Sequence, residues 1–272
     1  MLAPTRNPLL RKLQAVAKRD ALTLTRGSMG LGMRFIFVAA ELATFYFLSR
    51  SVGPTFRPEG MDYFWFLLTG TAAFELLLAS IHALIRSLRD AQISGMLEVL
   101  LATSTSAVVV ILLDSLSTLI GKIAHTMVYL TLGVVLFGIA LPHPHWAATI
   151  SILVLSIMIS LALGLVAASV QIWLQKGDSA VALMSALAAL LSGVLFPVDV
   201  LPPALRGLAN LNPLTHALTG FRASALKGAS WSDLSSTFIV LGVYCCVLVP
   251  FGVWLFDFAL RRARRNGTLL FY

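Results

Sequence analysis

Charge is what this sequence has least of. Asp, Glu, Lys and Arg make up 12% of its 272 residues, against about 25% in a soluble domain. No stretch is long and polar enough to form a separate soluble domain, so the chain reads as a single integral membrane domain, 1–272. Cysteine is scarce too: Cys245 and Cys246 stand side by side in an apolar run. That excludes a disulfide framework and leaves two small apolar residues of a membrane helix. Phosphate-loop chemistry is missing. Gly121-Lys122 is followed by Ile123, with no glycine loop before it, so the chain is not expected to hydrolyse ATP by itself. Neither HExxH nor GxSxG occurs, which removes the zinc-protease and nucleophile-elbow readings. Of the histidines only His143 and His145 are close in sequence, and two ligands do not make a zinc site. The first thirty residues lack the apolar core and cleavage site of a signal peptide, so the first span is expected to target the chain.

Apolar residues are abundant, at 58%, with a mean hydropathy of +0.88. A helix needs about 20 apolar residues to cross a hydrocarbon core of about 30 Å. Six runs meet or approach that length: 31–48, 61–84, 108–140, 147–170, 179–196 and 236–260. The expected fold is an all-α membrane protein with six transmembrane helices. It divides into 1–30, spans 1 and 2 over 31–84, a polar insert at 85–106, spans 3 to 5 over 107–196, a break at 197–235, and a last span with a basic tail over 236–272.

Three segments are amphipathic or broken rather than spanning. In 1–30, Leu10, Leu13, Ala17, Ala21 and Leu24 form a stripe, with Arg11, Lys12, Lys18, Arg19 and Arg26 off it. Asn7-Pro8 supplies a cap and first turn. This reads as an interfacial helix on the cytoplasmic leaflet. In 86–106, Ile93, Met96, Leu97, Leu100 and Leu101 fall on one helical stripe, opposite Arg89, Asp90, Gln92, Glu98 and Thr103. Such a helix lies on the membrane surface and offers its polar face to a soluble partner. The break at 197–235 holds Pro197, Pro202, Pro203 and Pro213 yet stays apolar between them. Two short helices that dip into the outer leaflet and return fit that pattern, provided protein or a wet cavity covers their backbone.

Lys and Arg set the orientation. Fourteen of the 20 fall at 1–34, 85–105, Lys176 and 261–265, and five at Arg50, Arg57, Arg206, Arg222 and Lys227. Both termini are therefore expected in the cytoplasm of a cytoplasmic (inner) membrane, with 86–106 inside and 197–235 outside. The net charge of +8 reports this bias and contact with anionic lipids, not nucleic acid. Glu41, Glu75, Asp114 and Lys122 lie within spans, where ionisable groups face the bundle or a cavity. Asp114 and Lys122, eight apart, share a helix face. The four read either as structural pairs or as a polar pathway. Phe45, Tyr46, Phe47, Phe56, Tyr63, Phe64, Trp65 and Phe66 crowd the outer ends of spans 1 and 2, as an interfacial belt would.

Two motifs carry a resemblance. Gly95-Met96-Leu97-Glu98-Val99-Leu100-Leu101-Ala102-Thr103 is similar to the coupling helix of type-2 ABC exporter permeases, with Ser104 where that family often has proline. Ser192-Gly193-Val194-Leu195-Phe196-Pro197 to Leu201-Pro202, then Leu211-Asn212-Pro213-Leu214-Thr215, resembles that family's outer re-entrant segment. The resemblance implies no cofactor in the chain itself. It implies a partnership with cytoplasmic ATPase subunits that bind ATP, and a second permease copy. It also implies export of an amphiphile such as a lipid-linked glycan, a glycolipid or a hydrophobic drug. Arg89, Gly95, Leu97, Glu98 and Leu101 would then meet the ATPase. Gly193, Phe196, Pro197, Pro202, Asn212 and Pro213 would shape the outer segment. Two other classes compete. One is a proton-driven secondary transporter or channel using Glu41, Glu75 and Asp114. The other is a membrane-embedded enzyme, which would need a convergent acid–base or nucleophile set that is not visible.

Overall fold

The computed structural model describes residues 28–95, 107–137, 144–174 and 178–266. They form α1 (Ser28–Val52), α2 (Tyr63–Ile93), α3 (Ala107–Phe137), α4 (Trp146–Leu174), α5 (Asp178–Leu191), α6 (Pro203–Leu211), α7 (Pro213–Leu226) and α8 (Ser235–Asn266), with 3-10 turns at Pro58–Gly60 and Val198–Val200. The expected interfacial helix lies outside the described residues except for its last three. So do Leu97, Glu98 and Leu101.

Among the described residues five helices, α1 to α4 and α8, contain a stretch long and apolar enough to cross a membrane. The protein is an all-α, multi-pass membrane protein. The expected fifth span differs: α5 has 14 residues, about 21 Å at 1.5 Å per residue. It stops because Ser192 and Gly193 turn the chain, Gly193 with φ +69°, a conformation glycine adopts without a Cβ penalty.

The separate surface helix expected from residue 86 also needs correction at its start. Asp62 caps α2, its carboxylate accepting from the Phe64 amide at 2.9 Å, and the helix then runs unbroken to Ile93. Its 31 residues extend about 46 Å, well beyond a core of about 30 Å. The projecting turns stay helical because Leu84, Leu88 and Ala91 continue to pack, against Ile111, Ala168, Ile172 and Leu260. Arg86, Arg89 and Asp90 face outward. The helix ends at Ser94 and Gly95, whose amides bond back to the carbonyls of Asp90 and Gln92.

Helix α2 is the centre of the bundle. Of its most apolar stretch 72% is buried, against 11% for α1 and α8. Contacts fix the directions. Phe64 meets Phe137 at 5.1 Å, Glu75 meets Lys122 at 2.8 Å and Ser87 meets Asp114 at 2.8 Å, so α3 runs antiparallel to α2. Tyr46 against Phe64 and Ser49 against Asp62 make α1 antiparallel to α2 as well. Helices α4 and α8 run with α2: Ala73, Ile152 and Leu241 share one core cluster, and Leu88, Ile172 and Leu260 share another. Residues 28, 93, 107, 174 and 266 therefore gather at one end, the Gly95 end. The segments 52–63 and 226–235 lie at the other, the Asp62 end.

Candidate functional site

The break after α5 is built from both sides. Asn212 caps α7, its Oδ1 accepting from the Leu214 amide at 3.1 Å, and Pro213 follows where a missing N–H costs nothing. The same Asn212 donates through Nδ2 to the Ser192 hydroxyl at 2.9 Å. Pro197 is buried and leads into the Val198–Val200 turn, while Phe196 is half-buried. Pro202 caps α6 and is exposed. The α6–α7 corner lies deep: Tyr244 donates to the Leu211 carbonyl at 3.0 Å. Tyr244 is nine residues into α8, about 13 Å from its start. Helix α7 then climbs back, so that Leu226 packs with Met61 and Trp65 at the Asp62 end. Two short helices were expected from the prolines, and α6 and α7 are two short helices.

A helix end leaves its last carbonyls without intrahelical partners. Here side chains supply them. Thr215 donates to Leu191 O at 3.1 Å and Tyr63 to Leu195 O at 3.0 Å. Arg222 donates to Gly193 O at 3.0 Å, to Val194 O at 2.9 Å and, on α2, to Phe66 O at 3.1 Å. Arg222 is 1% exposed. Its guanidinium also lies 3.5 Å from the centroid of the Phe66 ring, and its nearest counter-charge is Glu59 at 3.9 Å. Gly70 makes this approach possible: a Cβ there would sit 2.0 Å from Nη2. Burial lowers the Arg222 pKa to about 10 and Glu59 opposes that shift, so the group is a cation at neutral pH. Glu59 takes φ +54°, a left-handed conformation that costs a non-glycine residue on the order of 1–3 kcal/mol.

Sequence reasoning missed Arg222 as a structural centre and counted it only as an outer cation. The available signal was a lone arginine, FRAS, in an apolar stretch after an Asn-Pro cap, with Gly70 inside the second apolar run.

The charges within the spans separate into two places. Lys122 and Glu75 form an ion pair at 2.8 Å. Glu41 on α1 approaches the buried Tyr129 hydroxyl and feels the charges of both Glu75 and Lys122. Asp114 accepts instead from Ser87, near the Gly95 end. The shared helix face does not bring Asp114 and Lys122 together, because eight residues are about 12 Å. The aromatic belt is mostly core: Phe45, Phe64, Trp65 and Phe66 are buried, and Phe47 and Phe56 are exposed.

A family model described as ABC-2 type transporter matches residues 11–226. No curated protein matched the chain.

Proposed function

The chain belongs to the ABC-2 type transporter family, and on that premise we propose that it is the passive membrane half of an exporter driven from its Gly95 end. As a family member it is a membrane-embedded permease subunit with no catalytic centre of its own, and such subunits work with separate ATPase subunits. The finer reading rests above all on the placement of one end of α2. The helix carries Arg89 to Gly95, where the coupling motif begins, to the end of the bundle while staying packed against α3, α4 and α8. A push on residues 86–106 therefore reaches the central helix directly.

Arg86, Arg89, Arg261, Arg262, Arg264 and Arg265 stand at this end, which favours its facing the cytoplasm of an inner membrane. Glu98, with Leu97 and Leu101 beside it, would dock on the ATPase. The apolar outer faces of α1 (Phe35, Ile36, Phe37) and α5 (Leu183, Met184, Leu187) are uncovered and suit lipid or a second copy in a homodimer. An amphiphilic cargo, a lipid-linked glycan, glycolipid or hydrophobic drug, would pass between the copies beside α1, α2 and α5. The α5–α7 break would then be the outer re-entrant segment.

One observation favours a second reading. The Glu41–Glu75–Lys122 cluster puts two carboxylates against one ammonium between spans, as a proton-coupled transporter would need. Reconstitution into liposomes separates the two. Assembled with an ATPase subunit, the chain is expected to move a fluorescent amphiphile only when ATP is present. Movement by the chain alone under a proton gradient would instead establish the second reading.

A further inference from the structure

At the Asp62 end a cleft of about 330 Å³ opens between the last turn of α1 and the first of α2. Its walls carry two cations, Arg50 and Arg57, and four rings, Tyr46, Phe56, Tyr63 and Phe64. One carboxylate, Asp62, lines it; its Oδ1 accepts from the Phe64 amide and the Ser49 hydroxyl, and its single negative charge leaves the two guanidiniums in excess. Arg50 donates to the Tyr46 hydroxyl at 3.1 Å and lies over that ring. This fixes the guanidinium and leaves other N–H groups unused. Among the described residues Arg57 makes no ion pair or side-chain hydrogen bond. Phe56 and Tyr63 meet edge to face at 5.1 Å.

We infer that this cleft binds a phosphate group carried on a headgroup, held by Arg50 and Arg57 with the aromatic rings against its apolar or sugar part. Guanidinium forks match phosphate oxygens two at a time. The volume is at the lower end of the roughly 300–1,000 Å³ of ligand pockets, which suits a headgroup and excludes paired acyl chains. The site rests on the membrane reading only for the source of its ligand, a lipid headgroup or a free phosphomonoester.

Native mass spectrometry of the purified full-length chain tests it, with phosphatidylglycerol and diacylglycerol of the same tails as probes. The wild type should hold phosphatidylglycerol and not diacylglycerol. Arg50→Gln with Arg57→Gln should weaken that binding about tenfold or more. Lys227→Gln, which removes one cation at the same end outside the cleft, should leave it unchanged, and Arg57→Lys should retain most of it. Displacement by glycerol 3-phosphate would show that the phosphate alone suffices; binding that resists it would assign the lipid. Equal binding of both probes, or a double variant that binds as the wild type does, would overturn the site. None of these readings involves ATP, so failure here leaves the exporter reading standing, and failure of ATP-dependent transport leaves this site standing.

Discussion

Arg222→Met is expected to lower stability by about 3–5 kcal/mol and to stop transport. The substitution keeps the length and apolar stem of the side chain but removes every donor. The Gly193 and Val194 carbonyls then have no replacement for the bonds they accept at 3.0 and 2.9 Å. The surroundings offer no water to take over, since Arg222 is 1% exposed. Each orphaned buried acceptor costs about 1–3 kcal/mol, and Glu59 loses its partner as well. The apparent Tm in detergent should fall by on the order of 10 °C. Arg222→Lys should fall between, because one ammonium keeps the charge but cannot reach Gly193, Val194 and Phe66 together. An unchanged Tm in Arg222→Met would mean that the break after α5 is held by something else.

Glu98→Lys should break the link to the engine while sparing the membrane domain. Glu98 lies three residues beyond Gly95 in the sequence, within the motif proposed to meet the ATPase. On the proposed reading its carboxylate serves docking. Reversing its charge should reduce transport-coupled ATP hydrolysis by about tenfold or more, with insertion and yield unaffected. Assay of the complex in nanodiscs, with and without cargo, gives the coupled rate. Coupling equal to that of the wild type would remove Glu98 from the interface.

These two residues show what the sequence made legible and what it did not. Span 4 was visible almost to its ends, 147–170 against Trp146–Leu174, because a long apolar run without charges has one outcome in lipid. The outer prolines announced short helices, and α6 and α7 are short; that Asn212 caps α7 was not read from the sequence. Hydropathy misjudged α5, because the apolar run continues past Leu191 while the backbone does not: Gly193 turns it. It also put a boundary at residue 86, where the charges of Arg86, Arg89 and Asp90 begin. Helix α2 continues there because its other face, Leu88 and Ala91, still has neighbours to pack on. Arg222 was invisible as a centre, since its partners are carbonyls of residues 28, 29 and 156 positions away. Asp114 and Lys122 shared a helix face but found different partners on α2.

A permease worked from the cytosol must carry its Gly95 end on the cytoplasmic side of the membrane. With Cys245 and Cys246 replaced by serine, single cysteines at Ser94→Cys and Asp199→Cys can be probed in intact cells with a membrane-impermeant maleimide. The Asp199→Cys chain should label at once, and the Ser94→Cys chain only after the membrane is permeabilised. Labelling of Ser94→Cys from outside, with Asp199→Cys protected, would contradict a permease worked by an ATPase in the cytosol.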